Sequence, residues 1–180
     1  SDPRKVGNRI KFHRRAIGNN DFIACLTMCW LRNDLSYHEL RDQILECIYN
    51  GAGGIDYWPL VFDQNDAYGQ LLAFREILPF EDMIWNGDFI YQRKDESPEQ
   101  VVGFVYRGEA VVLVSNYQLG DKKVVEIVNP LKRDAQVFDV SAHGTLGTVK
   151  ANGTVAVTLD ERDTAVVYFG EKGKERMGGQ

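Results

Sequence analysis

Cysteine and histidine are the residue types in this chain best suited to nucleophilic or metal chemistry. The three cysteines and three histidines are Cys25, Cys29, Cys47, His13, His38 and His143. No spacing among them matches a disulfide framework, a zinc motif or a catalytic cysteine–histidine pair. We therefore expect buried free thiols, no metal site and no cysteine nucleophile.

A glycine-rich segment at residues 51–54, with the sequence Gly-Ala-Gly-Gly, has the composition of a phosphate-binding loop. Such a loop needs a following Lys and Ser or Thr, and it opens a helix. Neither condition holds here, so the sequence predicts no nucleotide and no other cofactor.

The composition predicts a soluble globular protein, because 44% of the 180 residues are hydrophobic, 26% are charged and the net charge is -5. An acidic chain lacks the basic footprint of a nucleic-acid partner, and we interpret its short basic pairs as solvated faces. Those pairs are Arg14-Arg15, Lys122-Lys123 and Lys132-Arg133. No apolar run reaches the ~18 to 20 residues that span a bilayer, so no membrane partner is expected. Secreted and lysosomal locations both stay open.

Strand and helix signals alternate in the first half of the chain. Residues 22–30 form a nearly continuous apolar run, as expected of a buried parallel strand. A capping box at Ser36 starts a predicted helix, which stops at Asn50 and the glycine after it. Residues 53–59 predict a second strand, and Asp66 is the predicted cap of a second helix. The order predicts a βαβα unit with a parallel strand pair.

Beyond residue 100 the hydrophobic period changes to two. Seven short runs separated by turn residues predict strands at 104–106, 110–115, 122–128, 136–140, 147–150, 154–159 and 164–169. This pattern predicts an antiparallel β-sandwich whose strands share one core and which carries no catalytic chemistry of its own. The last ten residues, 171–180, are predicted to be a frayed polar tail.

Three segments together resemble a known family. Residues 44–58 (ILECIYNGAGGIDYW) and 67–89 (AYGQLLAFREILPFEDMIWNGDF) resemble the last strands and helices of a (β/α)₈-barrel glycoside hydrolase. The stretch AVVLVSNYQ…VEIVNP…TVAVTLDERDTAVVYF resembles the C-terminal β-sandwich that follows such barrels. The family within that group is not assignable.

The resemblance implies an α/β plus all-β fold, with residues 22–30 as the seventh barrel strand and 54–58 as the eighth. Residues 1–90 would be a partial (β/α) barrel segment, and residues 91–180 would be the antiparallel β-sandwich with its polar tail. A complete barrel needs about 200 residues or more, so the chain is predicted to be a fragment, a processed subunit or a divergent remnant.

The resemblance also implies an active site in the loops at the carboxyl ends of the barrel strands. It singles out Trp30, Arg32 and Asp34 after the first strand, and Asp56, Tyr57, Trp58 and Asp63 at the second. Aromatic faces pack on sugar rings while carboxylates and guanidinium groups bind hydroxyls, so the expected ligand is a carbohydrate. Asp34 and Asp56 are candidate catalytic carboxylates, with a surface or capping role as the competing interpretation. The predicted seventh strand ends Met-Cys-Trp, without the glutamate nucleophile that many barrel families place there.

Two functions remain open. The first is the C-terminal portion of an O-glycoside hydrolase that is inactive without the missing barrel part, which makes the barrel remainder or a second copy of the chain an expected partner. The alternative is a non-catalytic module that binds carbohydrate or protein.

Overall fold

The structure is a computed structural model, and it describes residues 3–18, 23–27, 36–58, 63–92, 98–118, 123–159 and 162–178. The chain divides into two compact units, Ser1–Leu78 and Pro79–Gln180. The first contains α1 (Pro3–Ile17), β1 (Ile23–Thr27), α2 (Tyr37–Tyr49), β2 (Gly54–Trp58) and α3 (Gln64–Ile77). The second contains α4 (Glu81–Asn86), β3 (Asp88–Tyr91), β4 (Glu99–Tyr106), β5 (Glu109–Asn116), β6 (Val124–Val128), β7 (Ala135–Asp139), β8 (Gly144–Val149), β9 (Thr154–Thr158), β10 (Thr164–Phe169) and α5 (Gly173–Arg176). None of the described helices is both long and apolar enough to cross a membrane.

The two strands of the first unit pair in parallel, as the sequence predicts. Cys25 stands opposite Asp56, and Thr27 stands opposite Trp58. Residue 22 and residues 28–30, which the apolar run also includes, lie outside the described residues.

Helix α2 is the crossover between these strands. Its N-terminus is a capping box in which the Glu39 amide donates to Ser36 Oγ at 3.3 Å and the Ser36 amide donates to Glu39 Oε2 at 2.9 Å. At its other end, Asn50 is the C-cap and Gly51 has a φ of 101°, a conformation that favours glycine. Both predicted ends of this helix are confirmed.

Helices α2 and α3 approach each other closely at Gly69. A Cβ at this position would lie 2.7 Å from the Tyr37 carbonyl oxygen. Nearby, the Arg41 guanidinium donates to both carboxylate oxygens of Glu76, at 2.8 and 2.7 Å, and all of these charged groups are buried. The Tyr49 hydroxyl donates to the Glu76 carbonyl at 2.9 Å. The contact between the helices is therefore made by a small residue beside a buried ion pair.

The second unit is an antiparallel sandwich. One sheet has the strand order β3-β4-β5-β10-β7-β8, and the other contains β6 and β9. Buried side chains from seven of the eight strands in this unit form one cluster, in which Ala110, Val112 and Val114 of β5 meet Val125 and Ile127 of β6. The predicted shared core is confirmed.

Strand β3 is not among the predicted strands. It pairs with β4, with Asp88 opposite Val105 and Tyr91 opposite Val102. Strand β3 belongs with α4 to the second unit, Pro79–Gln180.

The C-terminal segment corrects a second expectation, because part of the predicted frayed tail is helical. The Arg176 guanidinium at the end of α5 donates to both carboxylate oxygens of Asp82, at 2.9 and 3.1 Å, and to Glu109 Oε2 at 2.8 Å. It also donates to the Pro79 carbonyl at 2.9 Å. The Tyr168 hydroxyl donates to Glu109 Oε1 at 2.6 Å. This Arg176 cluster, formed by Arg176, Asp82, Glu109 and Tyr168, ties the C-terminal helix to α4 and to the sheet.

Two valines test the assignment of the sandwich core. We expect Val112→Asp to lower the free energy of unfolding by about 3 kcal/mol or more, because it places an unpaired carboxylate at a site with 0% exposure. The matched control is Val124→Asp on β6, where the side chain is 53% exposed. Urea titrations followed by circular dichroism measure both values. Equal stability of the two variants would contradict the core assignment.

Candidate functional site

The carboxyl ends of β1 and β2 lie at the same edge of their sheet, because the strands are parallel and in register. In α/β folds, functional groups collect at this edge. Residues 28–35 and 59–62, which follow the two strands, lie outside the described residues, and the candidates Trp30, Arg32 and Asp34 are among them. Tyr57 and Trp58 are the last two residues of β2, and only their backbone is described.

Asp56 is the candidate carboxylate in the described part of this edge. It is the third residue of β2, pairs with Cys25 and is exposed. A carboxyl group at such a position can accept hydrogen bonds from sugar hydroxyls or transfer a proton. Glycoside hydrolysis needs a second carboxyl group, at about 5 to 5.5 Å for retention of configuration or about 6.5 to 9.5 Å for inversion. The other catalytic candidate, Asp34, is outside the described residues.

Asp63 has a structural role at the start of α3. Its Oδ1 accepts a hydrogen bond from the Asp66 amide at 3.0 Å, while Asp66 Oδ2 accepts one from the Asp63 amide at 3.1 Å. Asp63 is thus the N-cap of the helix, and Asp66, the predicted cap, is its partner in the capping box. Two negative charges also suit the N-terminus of a helix dipole. If Asp63 also bound a sugar, it would have to do so while its Oδ1 accepts the hydrogen bond from the Asp66 amide.

The described residues give no support to cysteine or metal chemistry. Cys47 has 0% exposure, and burial, followed by the charge of Glu46, raises the pKa of its thiol to about 12. A thiol in that state is protonated near neutral pH and is a poor nucleophile. Among the residues that the structure describes, no three His, Cys, Asp or Glu side chains converge as metal ligands.

Comparison with known proteins identifies relatives by structure alone. No protein-family model matches the chain, and no curated protein matches it in sequence. A GH27 β-L-arabinopyranosidase from Geobacillus stearothermophilus superposes with a TM-score of 0.58 and 18% identity, over 78% of this chain and 32% of that one. A Bacillus halodurans protein provisionally assigned as an α-N-acetylgalactosaminidase superposes with a TM-score of 0.61 and 14% identity, over 94% of this chain and 45% of that one. An Anoxybacillus α-amylase superposes with a TM-score of 0.60 and 13% identity, over 94% of this chain and 46% of that one.

The chain spans 32% to 46% of the length of these three proteins, and it matches their C-terminal part. At such low identity, the likeness establishes the fold. The predicted fold class, a partial (β/α) barrel segment followed by an antiparallel β-sandwich, is confirmed. The predicted resemblance to the C-terminal part of glycoside hydrolases is confirmed at the same level.

The cap at Asp63 gives a testable prediction. We expect Asp63→Ala to lower the free energy of unfolding by about 1 kcal/mol, because one amide at the start of α3 loses its acceptor. Asp63→Asn keeps an acceptor oxygen and should stay within a few tenths of a kcal/mol of the parent. Urea titrations measure both variants. If Asp63→Ala and Asp63→Asn both have the same free energy of unfolding as the parent, the cap does not stabilise the helix.

Proposed function

We propose that the chain is the C-terminal portion of a carbohydrate-active enzyme that hydrolyses O-glycosidic bonds, with most of its catalytic groups outside this chain. The observation that carries the proposal is the parallel pair β1 and β2, whose carboxyl ends lie at one edge, with the exposed Asp56 two residues before the end of β2, in a fold shared with three glycosidase-type barrel proteins. Fold analogy alone does not prescribe an activity, so the proposal is tied to this edge and its residues.

The proposed roles follow from the chemistry of each side chain. Asp56 is the carboxyl group that this chain contributes, as an acid, a base or an acceptor for a sugar hydroxyl. Asp34 is its alternative. Aromatic side chains supply faces for the apolar side of a sugar ring, and cationic or acidic groups bind its hydroxyls. The residues proposed for these contacts are Trp30, Tyr57, Trp58, Arg32 and Asp63.

An apolar face on α3 supports the proposal that the first unit needs a further partner. Leu71 and Phe74 are 57% and 42% exposed, and Leu78, the C-cap of α3, is 61% exposed. With Ala67 they recur four, three and four residues apart. That spacing forms one stripe along a helix, of the kind that packs against another helix. The opposite side of α3 includes Gly69 and already contacts α2. We propose that the stripe is covered by the remainder of a barrel or by a second copy of this chain.

A non-catalytic carbohydrate-binding module is the second candidate. The observation in its favour is that Asp63 already serves as a helix cap. Among the predicted site carboxylates that the structure describes, this leaves Asp56 as the one without a capping role. One carboxylate with aromatic neighbours suits binding better than double acid–base catalysis.

The purified chain should bind sugars without cleaving them. We expect no turnover of a broad panel of aryl glycosides, because one edge of two strands does not supply both carboxyl groups. We expect Trp58→Ala to weaken binding to the best ligand of a sugar panel about tenfold, the loss of roughly 1.4 kcal/mol of ring contact. Calorimetry measures the affinity.

The control for this experiment is Trp85→Ala, which removes a 55% exposed tryptophan from α4 in the other unit. Turnover that survives purification and disappears in Asp56→Asn would show that the chain is a complete enzyme. Failure to bind any sugar in the panel would remove both carbohydrate functions.

The apolar stripe on α3 predicts self-association of the isolated chain. We expect sedimentation velocity to show a mass that rises with concentration, since a large exposed apolar face favours contact with another copy. Leu71→Glu combined with Phe74→Glu should shift the equilibrium to monomer. The matched control, Gln64→Glu combined with Asn65→Glu, adds the same charge at exposed polar positions of the same helix and should leave association unchanged. A parent protein that is monomeric at all concentrations would rule out a second copy as the partner and leave only the remainder of a barrel.

A further inference from the structure

Helix α1 concentrates positive charge in an acidic protein. Six of its fifteen residues are Lys or Arg and none is Asp or Glu, although the whole chain has a net charge of -5. The basic pair Arg14-Arg15 is therefore one end of a longer basic element. Such a concentration of one sign of charge creates a local potential that attracts the opposite sign.

One side of α1 packs within the first unit. Gly7, Ile10 and Lys11 are buried on this side, and a Cβ added at Gly7 would overlap the Glu46 carboxylate of α2. This side is therefore occupied by protein and is not available to a partner.

The opposite side is exposed from Lys5 to Ala16. Lys5, Arg9, Phe12 and Ala16 recur four, three and four residues apart, so they form one line along the helix, and all four are exposed. We call this line the outer α1 face. It presents cations spaced by about one helical turn, or ~5.4 Å, with an aromatic ring beside them.

The aromatic ring on this face is largely exposed. Phe12 is 69% exposed, and its ring lies edge-on to His13, with 5.7 Å between the ring centroids and 76° between the planes. A ring so exposed contributes little to a protein core. Its free surface is suited to the C–H surface of a sugar ring.

We propose that the outer α1 face binds an anionic polysaccharide, whose carboxylate or sulfate groups pair with Lys5 and Arg9 while Phe12 packs against a sugar ring. The spacing of about one turn is close to the length of one sugar unit in an extended chain. Charge complementarity selects an anionic occupant. The proposed binding uses residues of α1 alone and does not depend on glycosidase activity.

Two other anionic partners fit this face less well. An interfacial helix buries several apolar side chains in the bilayer, whereas the outer α1 face offers one aromatic ring. Nucleic-acid binding is driven by a wide basic footprint with about 6 to 10 phosphate contacts in typical sites, which exceeds two cations on one helix face of an acidic chain.

Affinity measurements on the whole chain test the proposal, with heparin as the sulfated probe, polygalacturonate as the carboxylated probe and dextran as the neutral probe. We expect salt-sensitive binding to heparin, polygalacturonate or both, and none to dextran. Lys5→Glu combined with Arg9→Glu should weaken binding about tenfold or more, and should flatten the dependence of log affinity on log salt because fewer ions are released. Phe12→Ala should weaken binding without changing that slope.

The matched control is Lys132→Glu combined with Lys172→Glu, which makes the same change in net charge at exposed positions of the second unit. It should change the affinity by less than about twofold. Equal losses in the two double variants would show that net charge alone governs binding and would overturn the proposal. Absence of binding to both anionic probes would also overturn the proposal. Tighter binding to a single-stranded DNA oligomer or to phosphatidylserine vesicles would do the same. A binding signal that is explained by salt-sensitive self-association of the chain would overturn it as well. Melting temperatures close to that of the parent would show that the variants are folded.

Discussion

Parallel pairing of β1 and β2 is the constraint on which the first unit depends. Two parallel strands cannot be joined by a tight turn, so the chain must cross the sheet, and α2 is that crossover. Its length is set by the cap at Ser36 and by the stop at Asn50 and Gly51. Because the crossover returns the chain to the end of the sheet where β1 begins, β1 and β2 run in the same direction and their carboxyl ends lie at one edge. The candidate site is thus a consequence of this connection.

A buried ion pair orients the next helix on that crossover. Burial opposes the charge of Arg41, but its hydrogen bonds and electrostatic attraction to Glu76, with a further contribution from Asp42, outweigh this effect and raise the pKa of Arg41. The gain is largely offset by the cost of removing both ions from water, so the pair is weak evidence for stability. Its bidentate geometry instead favours one arrangement of α2 and α3 over alternatives. With Gly69 against α2, the stripe of Leu71 and Phe74 is left on the other side of the helix.

The sequence predicted elements that are specified by residues close together in the chain, and it missed elements whose hydrophobic pattern is weak. The period-two strands and the capping box at Ser36 need only nearby residues, and these predictions are confirmed. Helix α1 was missed because six cations obscure its apolar positions, and β3 because it is short and follows α4 directly. Asp63 and Asp66 are both acceptable caps by residue type, and only the backbone geometry decides between them. For the candidate site, the sequence predicts the parallel strand pair and proposes Asp56 as a carboxylate, whereas the separation of paired carboxylates depends on residues distant in the chain.

The Arg176 cluster shows why a constellation of catalytic residue types need not be a site. It brings together an arginine, a tyrosine and two carboxylates, yet all four carboxylate oxygens of Asp82 and Glu109 already accept hydrogen bonds. Arg176 lowers the pKa of Asp82 through those bonds, which removes it as a proton donor near neutral pH. Burial and then the bond to Glu109 raise the pKa of Tyr168, so its hydroxyl stays protonated and continues to donate. Asp82 as an acceptor and Tyr168 as a donor are thus both in the form that these hydrogen bonds require. The hydrogen bonds of these residues therefore fix α5 to the sandwich, which gives them a structural role.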